Sequence, residues 1–501
     1  MAALMSTVLS RAPVGLAAPR VRVEVHLGPG LPAFAMVGLP EAVVRESKGR
    51  VRSALITSGF DFPAGRITVN LSPADLPKEG GRFDLPIAVG ILAASGQLAS
   101  RRLATCEFYG ELALSGELRE TPKLLPALMA GVRCKCEVIV PAANALEASW
   151  VASPLVRLAP HLRAVCDSLS GGNALPEAGA CAAEPQPPAL DLADVSGQYR
   201  AKRALEIAAA GVHGLLMLGP PGAGKTALAQ RLPGLLPPLE AAEALEVASL
   251  ESAAGRRPAL TRCPPFRSPQ HTASVAALIG GASMRPGELS LAHRGVLFLD
   301  EFPEFARNAL EALREPLESG VVVVSRAKHT CEYPARFQLV AAMNPCPCGY
   351  AGDSSGRCRC TAEQVARYRN RVSGPLLDRI DMHVELAAVP ALHLVADQRG
   401  PCEGSAAVAA RVAGARQAQM QRQGKLNSHL NFAEIGRECR LERDSRELLG
   451  RAIESLGLSA RAYHRVLKVA RTCADLAGEP QVRMTDLSEA LSLRCLDRIG
   501  R

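Results

Sequence analysis

The sequence predicts an α/β fold built in three parts, and three observations carry that prediction. A short apolar run, Gly214 to Leu218, leads directly into a glycine-rich loop and an apparent helix. Two further continuous apolar runs, Val296 to Leu299 and Gln338 to Ala342, are set apart from it by helical patterns, as in a parallel sheet covered on both faces. A stretch rich in Ala, Pro and Glu with no periodic apolar face, Ala174 to Leu190, separates this unit from the N-terminal part of the chain.

Composition sets the outer limits. At about 100–200 residues per domain, 501 residues make three or four domains. A hydrophobic share of 48% against 21% charged residues excludes wholesale disorder. The net charge of +9 permits an acidic partner such as nucleic acid without establishing one. The longest smooth apolar stretch, Leu85 to Gly96, contains Pro86 and is shorter than the roughly 20 residues of a membrane span, so no membrane partner is expected. The opening MAALMSTVLSR lacks a basic segment, an apolar segment and a cleavage site, and a cytoplasmic protein is expected. Fifteen cysteines are too sparse for a disulfide scaffold, so only tightly clustered ones suggest a ligand set.

Residues 1–170 read as an α+β or α/β unit. Val21 to His26 and Arg66 to Leu71 alternate as half-buried strands do, and Leu85 to Leu98 reads as a helix. Residues 171–190 form the linker, and 191–395 the unit with the parallel sheet. Residues 396–501 are mostly helical by pattern from about Val408, with Ala460 to Leu476 the clearest amphipathic stretch.

The loop Gly219-Pro220-Pro221-Gly222-Ala223-Gly224-Lys225-Thr226 matches G-x-x-x-x-G-K-[ST] in full. Its glycines let backbone N–H groups turn inward around a polyphosphate, Lys225 reaches the β and γ phosphates, and the Thr226 hydroxyl holds Mg²⁺. Val296-Leu-Phe-Leu-Asp300-Glu301 is an apolar strand ending in two carboxylates. Asp300 is expected in the Mg²⁺ shell and Glu301 beside the attacking water, although both also suit a helix cap. Asn344, at the end of the third apolar run, would orient that water; before Pro345 it serves equally in a turn.

Cys346, Cys348, Cys358 and Cys360 form two C-x-C pairs around a glycine-containing loop. Four thiolates in fifteen residues can close a tetrahedral Zn²⁺ site, the alternatives being free thiols or a disulfide pair. Val321 to Glu332 reads as a strand, a basic turn with Arg326 and Lys328, and a return.

The phosphate loop, LFLDE, AAMNPCPCG, LLDRID and LSARAYHRVLKVARTCADL occur in the order found in AAA+ ATPases related to magnesium chelatase, and nearly the whole chain resembles the ComM/YifB family of competence-linked helicases. The resemblance implies a Lon-protease-like N-terminal domain, an AAA+ core and a C-terminal helical lid. It implies an ATP-driven hexameric motor on single-stranded or branched DNA, acting in recombination of incoming DNA. Arg379, in LLDRID, matches an arginine finger reaching a neighbouring subunit's γ-phosphate. Arg461 matches the lid arginine acting in cis, with Arg465 the alternative one turn on. Arg326 and Lys328 would sit on a hairpin in the ring's channel and contact DNA phosphates; a solvated hairpin tip reads the same way. In Phe266 to Ser274 the family's usual second His is replaced by Gln270. The N-terminal loop Pro77 to Asp84 lacks the nucleophilic Ser a peptidase needs, so no proteolysis is expected. A metal-insertion ATPase subunit, an ATP-dependent peptidase and a protein-remodelling ATPase are the competing readings.

Overall fold

The computed structural model describes residues 4–38, 42–99, 101–179, 190–281, 284–326, 329–352, 356–388 and 403–496. Residues 180–189 of the expected linker lie outside them.

The N-terminal unit holds strands β1 (Met5–Arg11), β2 (Arg20–Gly28), β3 (Ala33–Val37), β4 (Arg66–Ser72), β5 (Cys106–Phe108), β6 (Glu111–Leu112), β7 (Leu118–Arg119), β8 (Glu137–Pro141) and β9 (Val156–Ala159). Seven of them form one mixed sheet in the order β3-β4-β2-β1-β5-β8-β9. In β2 and β4 inward residues alternate with outward ones, because one face packs on the core and the other meets water. The helix Asp84–Ala94 is buried along its whole length and packs on β1 and β2, which is why it reads as an unbroken apolar run. It stops at Ser95, short of the expected Leu98, as Gly96 turns the chain through φ +77°. Its first residue, Asp84, receives Arg50 through bonds of 2.6 and 3.1 Å. Lys78 is buried and donates to the carbonyls of Gly38 (2.8 Å) and Pro73.

The second unit holds β10 (Leu215–Leu218), β11 (Phe266–Arg267), β12 (Val296–Leu299), the hairpin β13 (Val321–Arg326) and β14 (His329–Pro334), β15 (Gln338–Met343) and β16 (Met382–Glu385). Five strands pair in parallel in the order β11-β12-β15-β10-β16. Every residue of β10, β12 and β15 is buried, since helices cover both faces. The register places Leu218 opposite Met343 and Leu299 opposite Ala341. The loops that leave β10, β12 and β15 therefore emerge at one edge of the sheet.

Beyond residue 403 the described chain is helical, with Ser405–Gln423, Arg443–Leu456, Ala460–Leu476 and Met484–Ser492 as its main segments. The helix Ala460–Leu476 packs on Tyr199–Gly211, and their apolar faces share one core with β10. The N-terminal unit joins the second through the helix Ala241–Ala253, where Ser252 Oγ donates to Glu147 (2.8 Å) and Ala248 enters the N-terminal core. Among the described residues no helix is long and apolar enough to cross a membrane.

Candidate nucleotide site

The loop after β10 wraps around its own lysine. Lys225 starts the helix Lys225–Arg231 and is only 9% exposed. Its ammonium donates to the carbonyls of Gly219 (2.6 Å) and Pro220 (3.0 Å) and to Asn344 Oδ1 (2.9 Å). Burial pushes its pKa below the ordinary lysine value, while Asp300 and Glu301 pull it back. A buried cation resting on three neutral oxygens gains most from an anion. Gly222 and Gly224, at φ +77° and +87°, hold the turn that aims the loop amides inward. Gln198 braces it from outside, donating to the carbonyls of Ala223 (3.0 Å) and Ala387 (2.8 Å). Sequence reasoning passed over Gln198, which belongs to no motif.

Thr226 Oγ1 donates to Asp300 Oδ2 at 2.7 Å. A hydroxyl and a carboxylate meeting there are the hard oxygen donors Mg²⁺ prefers, so these two residues would hold the ion; bound, it would neutralise phosphate charge. Asp300 Oδ1 also accepts the Glu301 N–H (2.9 Å). Glu301 is in the left-handed region at φ +52°, a strained position that turns its carboxylate out of the strand. There Oε2 lies 2.9 Å from Nδ1 of His271. His271 stands in the segment containing Gln270, so a signal was present in the sequence, but it pointed to no role.

The four expected thiols come together. Cys346, Cys348, Cys358 and Cys360 offer sulfurs within 4.8 Å of one another. The Sγ separations from Cys346 to Cys348 and Cys358 are 3.2 and 3.8 Å, and Cys348 to Cys358 is 3.6 Å. Tetrahedral zinc with Zn–S of about 2.3 Å needs sulfurs about 3.8 Å apart, whereas a disulfide needs about 2.05 Å. The donors fit a zinc ion, and none of the four is in a disulfide. Backbone N–H groups of Tyr350 and Arg359 hold the Cys348 thiol down to about 6. The cluster abuts the phosphate loop: a Cβ on Gly349 (φ +86°) would lie 2.6 Å from Cδ of Pro221.

Two arginines lie elsewhere. Arg379 precedes β16, whose Met382 pairs with Leu215 at the start of β10. A four-residue strand of about 13 Å therefore separates it from the phosphate loop of its own chain. Its side chain is 7% exposed, and the guanidinium is held by Glu318 (2.6 Å) and the Pro375 carbonyl (2.8 Å). Arg461 is exposed near the start of its helix. Four residues on, Arg465 pairs with Asp381, which His213 also approaches at 3.5 Å. Burial opposes ionisation of Asp381, yet Arg465 and His213 outweigh it and hold the carboxyl below its usual range. Asp381 and His213 both stand at the strand starts, so Arg465 is held on the side away from the loop. The hairpin β13–β14 pairs from Val321↔Pro334 to Arg326↔His329. The Arg326 side chain and Lys328 lie outside the described residues.

A phosphate loop, an acidic strand end and an asparagine strand end on one edge of a parallel sheet define the class: an α/β phosphate-loop protein of the AAA+ type. The family model "Magnesium chelatase, subunit ChlI" matches residues 191–394. "Subunit ChlI of Mg-chelatase" matches 23–144, and "Magnesium chelatase, subunit ChlI C-terminal" matches 402–494. The chain is 50% identical to Competence protein ComM of Haemophilus influenzae, over 99% of this chain and 98% of ComM. It is 48% identical to YifB of Salmonella typhimurium, over 99% and 98% of the two chains. The Magnesium-chelatase 38 kDa subunit of Rhodobacter capsulatus is 30% identical over 32% of this chain and 51% of its own. The chain belongs to the ComM/YifB family of magnesium-chelatase-like proteins.

Proposed function

We propose that this protein is an ATP-driven motor on DNA, a hexameric ring that moves single-stranded or branched DNA during recombination of incoming DNA in competence. The observation that carries the reading is the convergence of Lys225, Thr226, Asp300 and Asn344 on one sheet edge, with Arg379 held at the other. Lys225 and the loop amides bind the ATP phosphates, Thr226 and Asp300 hold Mg²⁺, and Glu301 polarises water that Asn344 helps to orient. Arg379 cannot serve its own nucleotide across the sheet, so it serves the next subunit's, where such an arginine is worth about 10³–10⁵ in rate. Arg461 is the lid arginine that senses the same phosphate in cis, and Arg465, the alternative, is engaged by Asp381. The Cys346–Cys360 loop carries structural Zn²⁺ with no open position, which fastens it against the phosphate loop.

Arg326 and Lys328 on the hairpin contact DNA phosphates without reading bases. Residues 1–170 form the Lon-protease-like domain and 396–501 the lid. Proteolysis is not part of the reading: the Pro77–Asp84 loop has no serine, and the contacts of Lys78 run to carbonyls. End-to-end similarity to ComM, against partial similarity to a magnesium-chelatase subunit, favours the DNA motor over metal insertion. The test is strand rearrangement of a forked duplex and a four-way junction, with ATP and with a non-hydrolysable analogue. Rearrangement only with ATP is expected; ATP turnover indifferent to DNA, with no rearrangement, would leave a protein-remodelling or metal-insertion ATPase.

A further inference from the structure

The arginine across the sheet from the phosphate loop is occupied by its own chain. Arg379 Nη2 lies 2.6 Å from Glu318 Oε1, Nη1 donates to the Pro375 carbonyl, and the side chain is 7% exposed. Glu311, Arg314, Glu315, Glu318 and Ser319 line the cleft around it. A guanidinium paired in this way has its charge neutralised and both outer nitrogens engaged, with only the buried Nε left unpartnered, so a phosphate that takes the outer nitrogens must displace the carboxylate.

Glu318 sits on the helix Arg314–Ser319, which ends at Gly320 (φ +69°) and passes directly into β13 of the hairpin. The junction is tied: Ser319 Oγ accepts from the Val321 N–H (3.2 Å) and has the carbonyls of Glu315 (3.0 Å) and Val321 (3.1 Å) within reach of its one hydroxyl hydrogen. A displacement of the hairpin thus reaches the helix end that carries Glu318. One short element joins the candidate DNA-contacting hairpin to the arginine that completes the neighbour's site.

We infer that Glu318 is a positioning residue that restrains Arg379 within its own subunit, and that DNA on the hairpin releases it. This rests on the reading of Arg379 as a finger acting in trans. DNA stimulation of ATP hydrolysis then arises partly from exchange of one anion for another: the Glu318 carboxylate for the γ-phosphate next door. Glu318 is 54% exposed, so the restraint is weak and its removal has a modest effect.

The test compares the full-length protein with Glu318→Gln, Glu315→Gln and Arg379→Ala in steady-state ATP hydrolysis, without DNA and with a saturating single-stranded oligonucleotide. Glu318→Gln is expected to raise the DNA-free rate about two- to fivefold. The rate with DNA should stay unchanged, so the stimulation ratio falls by the same factor. Glu315→Gln, in the same cleft, should keep the parent ratio. An unchanged ratio in Glu318→Gln, a fall in both rates, or an equal response from Glu315→Gln would each overturn the restraint. Arg379→Ala separates this from the underlying reading: undiminished turnover there removes the finger itself, whereas a slow Arg379→Ala beside a parent-like Glu318→Gln removes only the restraint.

Discussion

Gly349→Ala tests whether the cysteine loop supports the phosphate loop. Gly349 has φ +86°, and a Cβ there would lie 2.6 Å from Cδ and 2.8 Å from Cγ of Pro221. Two effects combine. The left-handed backbone costs a non-glycine residue about 1–2 kcal/mol. Forcing a methyl group against a proline ring adds about 1–3 kcal/mol, and because the ring is rigid the phosphate loop must shift. Gly352 separates the two: it has φ +82°, but a Cβ there meets nothing within 4 Å among the described residues. Gly352→Ala therefore carries the backbone effect alone. Titration with a fluorescent ADP analogue should show Gly349→Ala weakened about 5- to 100-fold, at 1.4 kcal/mol per decade, and Gly352→Ala close to the parent. Melting curves should show both somewhat destabilised. Equal affinities in the two variants would refute the idea that the loop supports the nucleotide crevice.

The purified protein should carry one zinc per chain by elemental analysis, and Cys358→Ser should lose it and become susceptible to protease between residues 346 and 360. A metal-free parent would contradict the site, whose folding contribution is about 10–16 kcal/mol. Asp381→Asn should destabilise the fold by about 3–5 kcal/mol in denaturant unfolding, because Arg465 loses its buried partner. The native carboxyl titrates below its unfolded value, so its contribution is complete above about pH 4 and declines as the pH falls further. A gap between parent and variant that widened in acid would contradict that sign. Arg326→Ala with Lys328→Ala should weaken DNA binding and flatten its dependence on salt, since each lost phosphate contact reduces the slope by about one; an unaltered slope would put the DNA elsewhere.

The parallel sheet was legible because strands buried on both faces leave unbroken apolar runs, and the residues ending those runs are the ones the register brings to one edge. Lys225, Asp300 and Asn344 could therefore be singled out before any geometry was known. The strand Cys106–Phe108 was not legible, since three residues are too few to display a period. Nor were pairings between distant segments. His271 against Glu301, Gln198 against Ala223 and Glu318 against Arg379 are products of folding: motifs mark Glu301, Ala223 and Arg379, but no local pattern says which side chain each of them meets. The choice between Arg461 and Arg465 could not be made from spacing, because the pairing of Arg465 with Asp381 joins segments far apart in the chain.

A nucleotide bound by one subunit and completed by the next is the feature on which the motor most depends. Lys225→Ala and Arg379→Ala should each abolish or nearly abolish ATP turnover, the first keeping its fold and the second still binding ATP. Mixed in equal amounts and allowed to exchange, they should recover up to about one quarter of parental activity, because that share of head-to-tail interfaces pairs an intact loop with an intact arginine. Mixtures as inactive as their components, despite demonstrated exchange of subunits, would contradict a site shared between protomers.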